Sequence, residues 1–176
     1  MTAPLSLSAD CLGWARTAGY ECSCDAAGDT LMLSSDLGTR LYVRVRARGR
    51  LELSQSVDGE DPCPVLYASS LEVLERHLYG VMGDEIRDEV CLPHLELPWA
   101  KESLARGYMV SDMQRGYRIL SRDGRGAVAA APDPVFSLVT LVPLSHLLGL
   151  DAEDIRRSYL AEDGAPLLAE GDYADR

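Results

Sequence analysis

Two hydrophobic periods take turns along this chain. In "ADCLGWARTA", Cys11, Leu12, Ala15 and Ala18 fall on one helical face, with Ser8 placed to cap the helix and Gly19 to end it. The period then drops to two. Tyr20, Cys22 and Cys24 alternate with Glu21, Ser23 and Asp25, and "TLMLSS" follows. Leu41, Val43, Val45 and Ala47 alternate with Tyr42, Arg44, Arg46 and Arg48; Leu51 and Leu53 alternate with Glu52 and Ser54. The pattern predicts a four-stranded antiparallel meander with one wet face. It places Cys22 and Cys24 on the inner face beside Tyr20, as small apolar residues.

"VDGEDPCP" breaks the sheet. The helical period returns over Ser69–Asp88, where Leu71, Leu74, Leu78, Val81 and Met82 make one stripe. Ser69 and Glu72 read as a capping box. His77 flanks the stripe as a packing residue. Gly80 and Gly83 each cost a helix up to about 1 kcal/mol. They call either for a close backbone approach or for a helix that stops near Gly83. After the connector "EVCLPHLELPW" come three further strands, "GYMVSDM", "GYRILSRD" and "GAVAAA", with Asp123–Gly124 as a hairpin turn. "APDPVF" leads to helices over about Pro143–Leu150 and Ala152–Leu160, the second capped by Asp151, and "AEGDYADR" reads as a frayed end.

The expected fold is therefore α+β, with antiparallel sheet and helices on one face. The 176 residues suit a single domain. "LMLSSDLG" echoes "YRILSRDG" and "DEIRD" echoes "EDIRR". Either the chain holds two related sheet-then-helix halves, 1–90 and 100–165, or these are chance matches among common turn residues.

Composition narrows the chemistry. The net charge of −11 repels nucleic acid and anionic membranes and attracts a basic partner. No apolar run nears the roughly 20 residues of a membrane helix, and "MTAPLSLSAD" is not a secretory signal. Five cysteines in a core of this size read as reduced thiols of the cytoplasm. His77, His94 and His146 form no metal-spacing motif, and neither a phosphate loop nor a nucleophile elbow is present. The expectation is no catalytic residue, no metal and no cofactor. A thiol hydrolase on Cys63 or Cys91 with His77 or His94 lacks a motif to support it. Arg40, Arg44, Arg46 and Arg48 read as a solvated row paired with acids such as Glu52. Two loops can project into a partner: Asp58, Glu60 and Asp61 on one, Asp112, Gln114, Arg115 and Tyr117 on the other. Trp99 is a further aromatic candidate.

"WARTAGY", "LEVLERHLYGVMGDEIRDEVCLP", "RGYMVSD" and "LSHLLGLDAEDIRRSYLAEDGAPLL" together resemble the antitoxin family of tuberculosis necrotizing toxin. The resemblance covers most of the chain and rests on scaffold residues. It implies a cytosolic protein without enzyme activity. Such a protein would bind a secreted toxin's NAD glycohydrolase domain in a 1:1 complex and block its cleft. An acidic secretion chaperone would share the charge, the thiols and the absence of a catalytic motif.

Overall fold

The computed structural model describes residues 5–175. Helix α1 (Ala9–Thr17) opens it, with Ser8 Oγ accepting from Cys11 N. Strands β1 (Tyr20–Cys24), β2 (Thr30–Ser35), β3 (Thr39–Val45), β4 (Leu51–Val57) and β5 (Cys63–Ala68) form a meander that delivers the chain to α2 (Leu71–Glu89). A second run, β6 (Tyr108–Val110), β7 (Tyr117–Arg122) and β8 (Gly126–Pro132), delivers it to α3 (Phe136–Leu147) and α4 (Ala152–Leu160). Strands β5 and β8 pair antiparallel through Tyr67–Ala130 and Ala68–Ala129. One eight-stranded sheet results, ordered β1-β2-β3-β4-β5-β8-β7-β6, and the fold is α+β.

One sheet face carries the helices. Leu31, Leu33, Leu41, Val43, Leu51, Leu53, Leu66, Ala68, Leu120, Ala129 and Ala131 alternate inward and are buried against Leu74, Leu78, Met82 and Ile86 of α2 and Leu141, Leu144 and Leu147 of α3. Each such leucine contributes about 2 kcal/mol of apolar burial. On the other face Met32, Tyr42, Arg44, Tyr67, Tyr117 and Ile119 are half-buried. Glu52 is 5% exposed there, because Arg46 chelates it through two hydrogen bonds, Ser54 donates a third, and Arg44 lies at 3.8 Å. Of the arginine row, Arg44 and Arg46 pair with Glu52, while Arg48 lies in the β3–β4 turn.

Helix α2 runs through both glycines. A Cβ on Gly83 would lie 2.3 Å from the Tyr159 ring, and one on Gly80 would lie 3.1 Å from its hydroxyl. The glycines therefore answer a close approach by α4. Arg87, 1% exposed, completes the joint. Its guanidinium donates to Tyr159 O and Ala161 O at the end of α4, and to Pro93 O and Glu162 O. Tyr159 O and Ala161 O lie at the C-terminal end of α4, where the ladder runs out and a cation suits the helix dipole, while Pro93 O and Glu162 O belong to the flanking loops.

Several expectations fail locally. Strand β5 begins inside the expected break, at Cys63 and Pro64, and continues through "VLYA", a run too short to show a period and given no element from the sequence. The cap of α2 is Ser70, which accepts from Val73 N, rather than Ser69. Helix α3 starts at Phe136 rather than near Pro143. Asp133 accepts from Val135 N and Phe136 N, and the helix then tolerates Pro143 at the loss of one ladder bond. Cys22 and Cys24 are exposed, because β1 is an edge strand that the helix layer covers only at Tyr20. The C-terminal stretch is not frayed over its described residues. There β9 (Leu168–Ala169) pairs with β10 (Asp172–Tyr173), and Tyr173 stacks on His146 at 3.5 Å and donates to Pro98 O. Arg176 lies outside the described residues.

Candidate functional site

Every neighbouring pair in the large sheet is antiparallel, so successive turns fall at alternate ends. The β2–β3 turn, the β4–β5 loop, the β6–β7 loop and the β8–α3 loop therefore share one end. Backbone bonds tie them in pairs. Asp58 N donates to Gly38 O at 3.2 Å, joining the first two, and Asp133 N donates to Gly116 O at 3.3 Å, joining the last two. Gly38 is needed at its position: φ is +87°, and a Cβ would come within 2.6 Å of the Asp58 carboxylate.

The seven nominated residues all lie at or next to this end. Asp58, Glu60 and Asp61 are exposed on the β4–β5 loop, which is held by Ser56 Oγ donating to Glu60 O at 2.7 Å. The β6–β7 connection closes as a two-residue turn. Gln114 N donates to Tyr117 O and Tyr117 N to Gln114 O, with Arg115 and Gly116 at φ 52° and 84°. Two successive left-handed residues match the twist of a hairpin, and they push Arg115 into solvent. Asp112 lies 3.3 Å from Lys101 Nζ. Only β8 lies between the two hairpins, whose midpoints are about 15 Å apart at ordinary strand spacing. They belong to one ridge without touching. Tyr117 leaves the ridge for the open sheet face, where its ring meets Tyr67 edge-on at 5.6 Å. Burial, and then the hydrogen bond with Tyr117, hold the Tyr67 phenol above its ordinary range.

Two members of the ridge escape sequence reasoning. Leu37, at the β2–β3 turn, is 87% exposed, and Phe136, the one phenylalanine of the chain, is 71% exposed. Val57 and Val135 are exposed beside them. The available signal was the absence of any Asp, Glu, Lys or Arg from Phe136 to Leu147. Around the apolar groups stand Asp36, Asp58, Glu60, Asp61, Asp112 and Asp133, against Arg40 and Arg115. The opposite end is arginine-rich, with Arg46, Arg48 and Arg50 at the β3–β4 turn and Arg122 and Arg125 at the β7–β8 turn. Asp25, Asp29 and Asp123 also lie there, and the Asp25 carboxylate is spent on the N–H groups of Thr30 and Asp29, which lower its pKa.

A groove of about 600 Å³ runs between α2, α3 and the connector. His77, Asp84 and His94 line it with Val81, Val139 and Trp99. Burial pushes His77 down to about 4 and Asp84 up to about 6, while His94 lies 3.9 Å from Asp84 and opposes the Asp84 shift. His77 Nε2 has no hydrogen-bond partner. No cysteine lines this groove, so Cys63 and Cys91 do not meet His77 or His94 there. Among the described residues no cluster of three or more His, Cys, Asp or Glu could hold a metal, and no helix is long and apolar enough to cross a membrane. What the ridge offers is a surface: preformed turns, outward carboxylates and exposed apolar side chains, the composition of a docking site.

Comparison with known proteins identifies the lineage. The chain is 29% identical over 176 residues to "Immunity factor for TNT" of Mycobacterium tuberculosis (strain ATCC 25618 / H37Rv), covering 96% of each chain. It is equally similar, 29% with 96% of each chain covered, to "Immunity factor for TNT homolog" of Mycobacterium bovis (strain BCG / Pasteur 1173P2). The solved structure "Rv3902c from M. tuberculosis" superposes with a TM-score of 0.82 at 26% identity, covering 95% of this chain and 96% of the other. The family model described as Immunity protein 61 matches residues 14–167, which is most of the chain. This chain belongs to the Immunity protein 61 family.

Proposed function

We propose that this chain is an antitoxin without enzyme activity. It binds a secreted NAD-hydrolysing toxin domain in the cytoplasm, one to one, and covers the cleft in which NAD would sit. The observation that carries this reading is the ridge. Four turns are joined in pairs at one end of a rigid sheet, acidic at the rim and apolar between, on a chain whose relatives are immunity factors. A cleft that accepts a diphosphate is electropositive, so an acidic ridge is drawn to it and held off other acidic surfaces. Asp58, Glu60, Asp61, Asp112, Gln114 and Arg115 form the rim, and Tyr117 extends the contact onto the open sheet face.

The test is a titration. A purified NAD-hydrolysing toxin domain is mixed with NAD and increasing amounts of this protein. NAD loss should stop at one equivalent. Continued NAD loss at several-fold excess, together with binding to the toxin only before it has folded, would move the chain to the secretion-chaperone class.

A further inference from the structure

Helix α3 is apolar on every side. Between Phe136 and Leu147 its polar side chains are Ser137, Thr140, Ser145 and His146 alone. One face meets β7 and β8 through buried Leu141 and Leu144. A helix apolar all round is ordinarily enclosed all round. This one is not: Val135 is 55%, Phe136 71% and Val139 42% exposed. Val135 and Val139 are four residues apart, Phe136 and Val139 three, so the three share a helical face. They form a strip that starts on the ridge and reaches the mouth of the groove, where Val139 and Pro143 face Trp99, itself 49% exposed.

The strip is fixed before any partner arrives. Asp133 holds a left-handed φ of 71°, and its carboxylate accepts the N–H groups of Val135 and Phe136 at 2.8 and 3.1 Å. Its own N–H is tied to Gly116 O, and its carbonyl accepts Ser137 N at 3.2 Å. Pro132 and Pro134 stiffen the approach. The backbone that carries Phe136 therefore has little entropy left to lose on binding.

We propose that Val135, Phe136 and Val139 are the apolar anchor by which this chain holds its toxin. The inference rests on the antitoxin reading. The occupant is the folded toxin domain, because the strip is continuous with the acidic ridge and is bound through Gly116 to the β6–β7 turn. Whatever the carboxylates draw in reaches the strip in the same approach. The carboxylates at the rim set how fast the complex forms, and the strip, once dry, sets how slowly it parts.

The experiment immobilises the toxin domain and follows wild-type protein, Phe136→Ala, Phe136→Leu and Val139→Ser. Phe136→Ala should raise the dissociation rate about tenfold or more with the association rate changed less than about twofold. Phe136→Leu should recover most of the loss. Melting temperatures should stay near wild type, since the side chain is exposed, and backbone N–H groups of 135–142 should gain exchange protection in the complex. An unchanged dissociation rate in Phe136→Ala, while wild type still stops NAD loss, overturns the anchor and leaves the antitoxin reading standing. A wild-type dimer in sedimentation that Phe136→Ala dissolves also overturns it, by giving the strip to a second copy. Wild type that neither binds nor protects NAD removes the underlying reading instead.

Discussion

The α2–α4 joint and the turn ridge treat polar groups in opposite ways. At the joint the central cation is turned inward and used. Arg87 spends its guanidinium on four carbonyls, and Gly80 and Gly83 give up their side chains so that Tyr159 can enter. At the ridge the strong groups are turned outward. The backbone does the holding, through Asp58–Gly38 and Asp133–Gly116, and the carboxylates of Glu60 and Asp61 face water. The first arrangement serves stability, and under the proposed antitoxin reading the second serves recognition. Substitutions should therefore sort cleanly: joint residues move the melting curve, ridge residues move the binding curve.

The largest effect is expected at Arg87. Arg87→Met removes the cation but keeps the stem, leaving Pro93 O, Tyr159 O and Glu162 O without the guanidinium, while Ala161 O keeps Gly164 N. A loss of about 2–3 kcal/mol in urea unfolding follows from losing these charge-assisted hydrogen bonds and stranding the buried Tyr159 carbonyl. Toxin affinity per folded molecule should hardly change. A variant as stable as wild type would mean that these carbonyls find water, and the joint would lose its claim to be the inward-facing region.

The groove lies on the joint side of this division, and two of its groups titrate with opposite signs. His77 has a folded pKa of about 4, below the ordinary 6.5, so the unfolded chain binds more protons between those values. Its contribution is present above pH 6.5 and is lost as pH falls through 4, by at most about 3 kcal/mol. Asp84 is raised to about 6, chiefly by burial, so protonation favours its folded form, and its contribution is present at low pH and fades as pH rises through 6. Urea titrations should show His77→Gln gaining on wild type from pH 6.5 down to 4 and Asp84→Asn losing on it from pH 6 down to 4. Parallel pH profiles for all three proteins would show that neither group is shielded from water.

The joint was far more legible in the sequence than the ridge, and the reason is periodicity. Leu71, Leu74, Leu78 and Met82 repeat at helical spacing because they meet a regular surface, so a pattern reveals them. The glycines were legible as a cost in search of a cause, though only the fold names Tyr159 as the cause. Arg87 was invisible, because its partners are carbonyls contributed by distant segments. The ridge has no period. Asp58, Asp112 and Arg115 could be picked as loop residues, but only the strand order shows that their loops share an end, and that order turns on β5, whose short apolar run carries no signal. Phe136 was read as part of a connector because "PDP" suggests a loop, whereas Asp133 makes those residues the start of a helix.

The smallest effect is the one that separates the two ends of the sheet electrostatically. Removing the negative charge of the β4–β5 loop calls for Asp58→Asn, Glu60→Lys and Asp61→Lys. Asparagine suits position 58, where φ is 50° and a long side chain would be strained. Stopped-flow association with the toxin at low salt should slow by about tenfold, and the difference should shrink toward zero at roughly 0.5 M salt as screening cuts the reach of the carboxylates. The control is Arg50→Glu with Arg125→Glu at the far end, which shifts net charge by a similar amount in the opposite sense. Those arginines lie a full strand length from the ridge, about 20 Å, well beyond a Debye length at physiological salt. The control should leave the association rate nearly unchanged there. Equal and opposite shifts from the two sets would mean that the toxin senses only total charge. In that case the acidic ridge would have no privileged place in the encounter, and orientation would rest on the apolar strip of α3 alone.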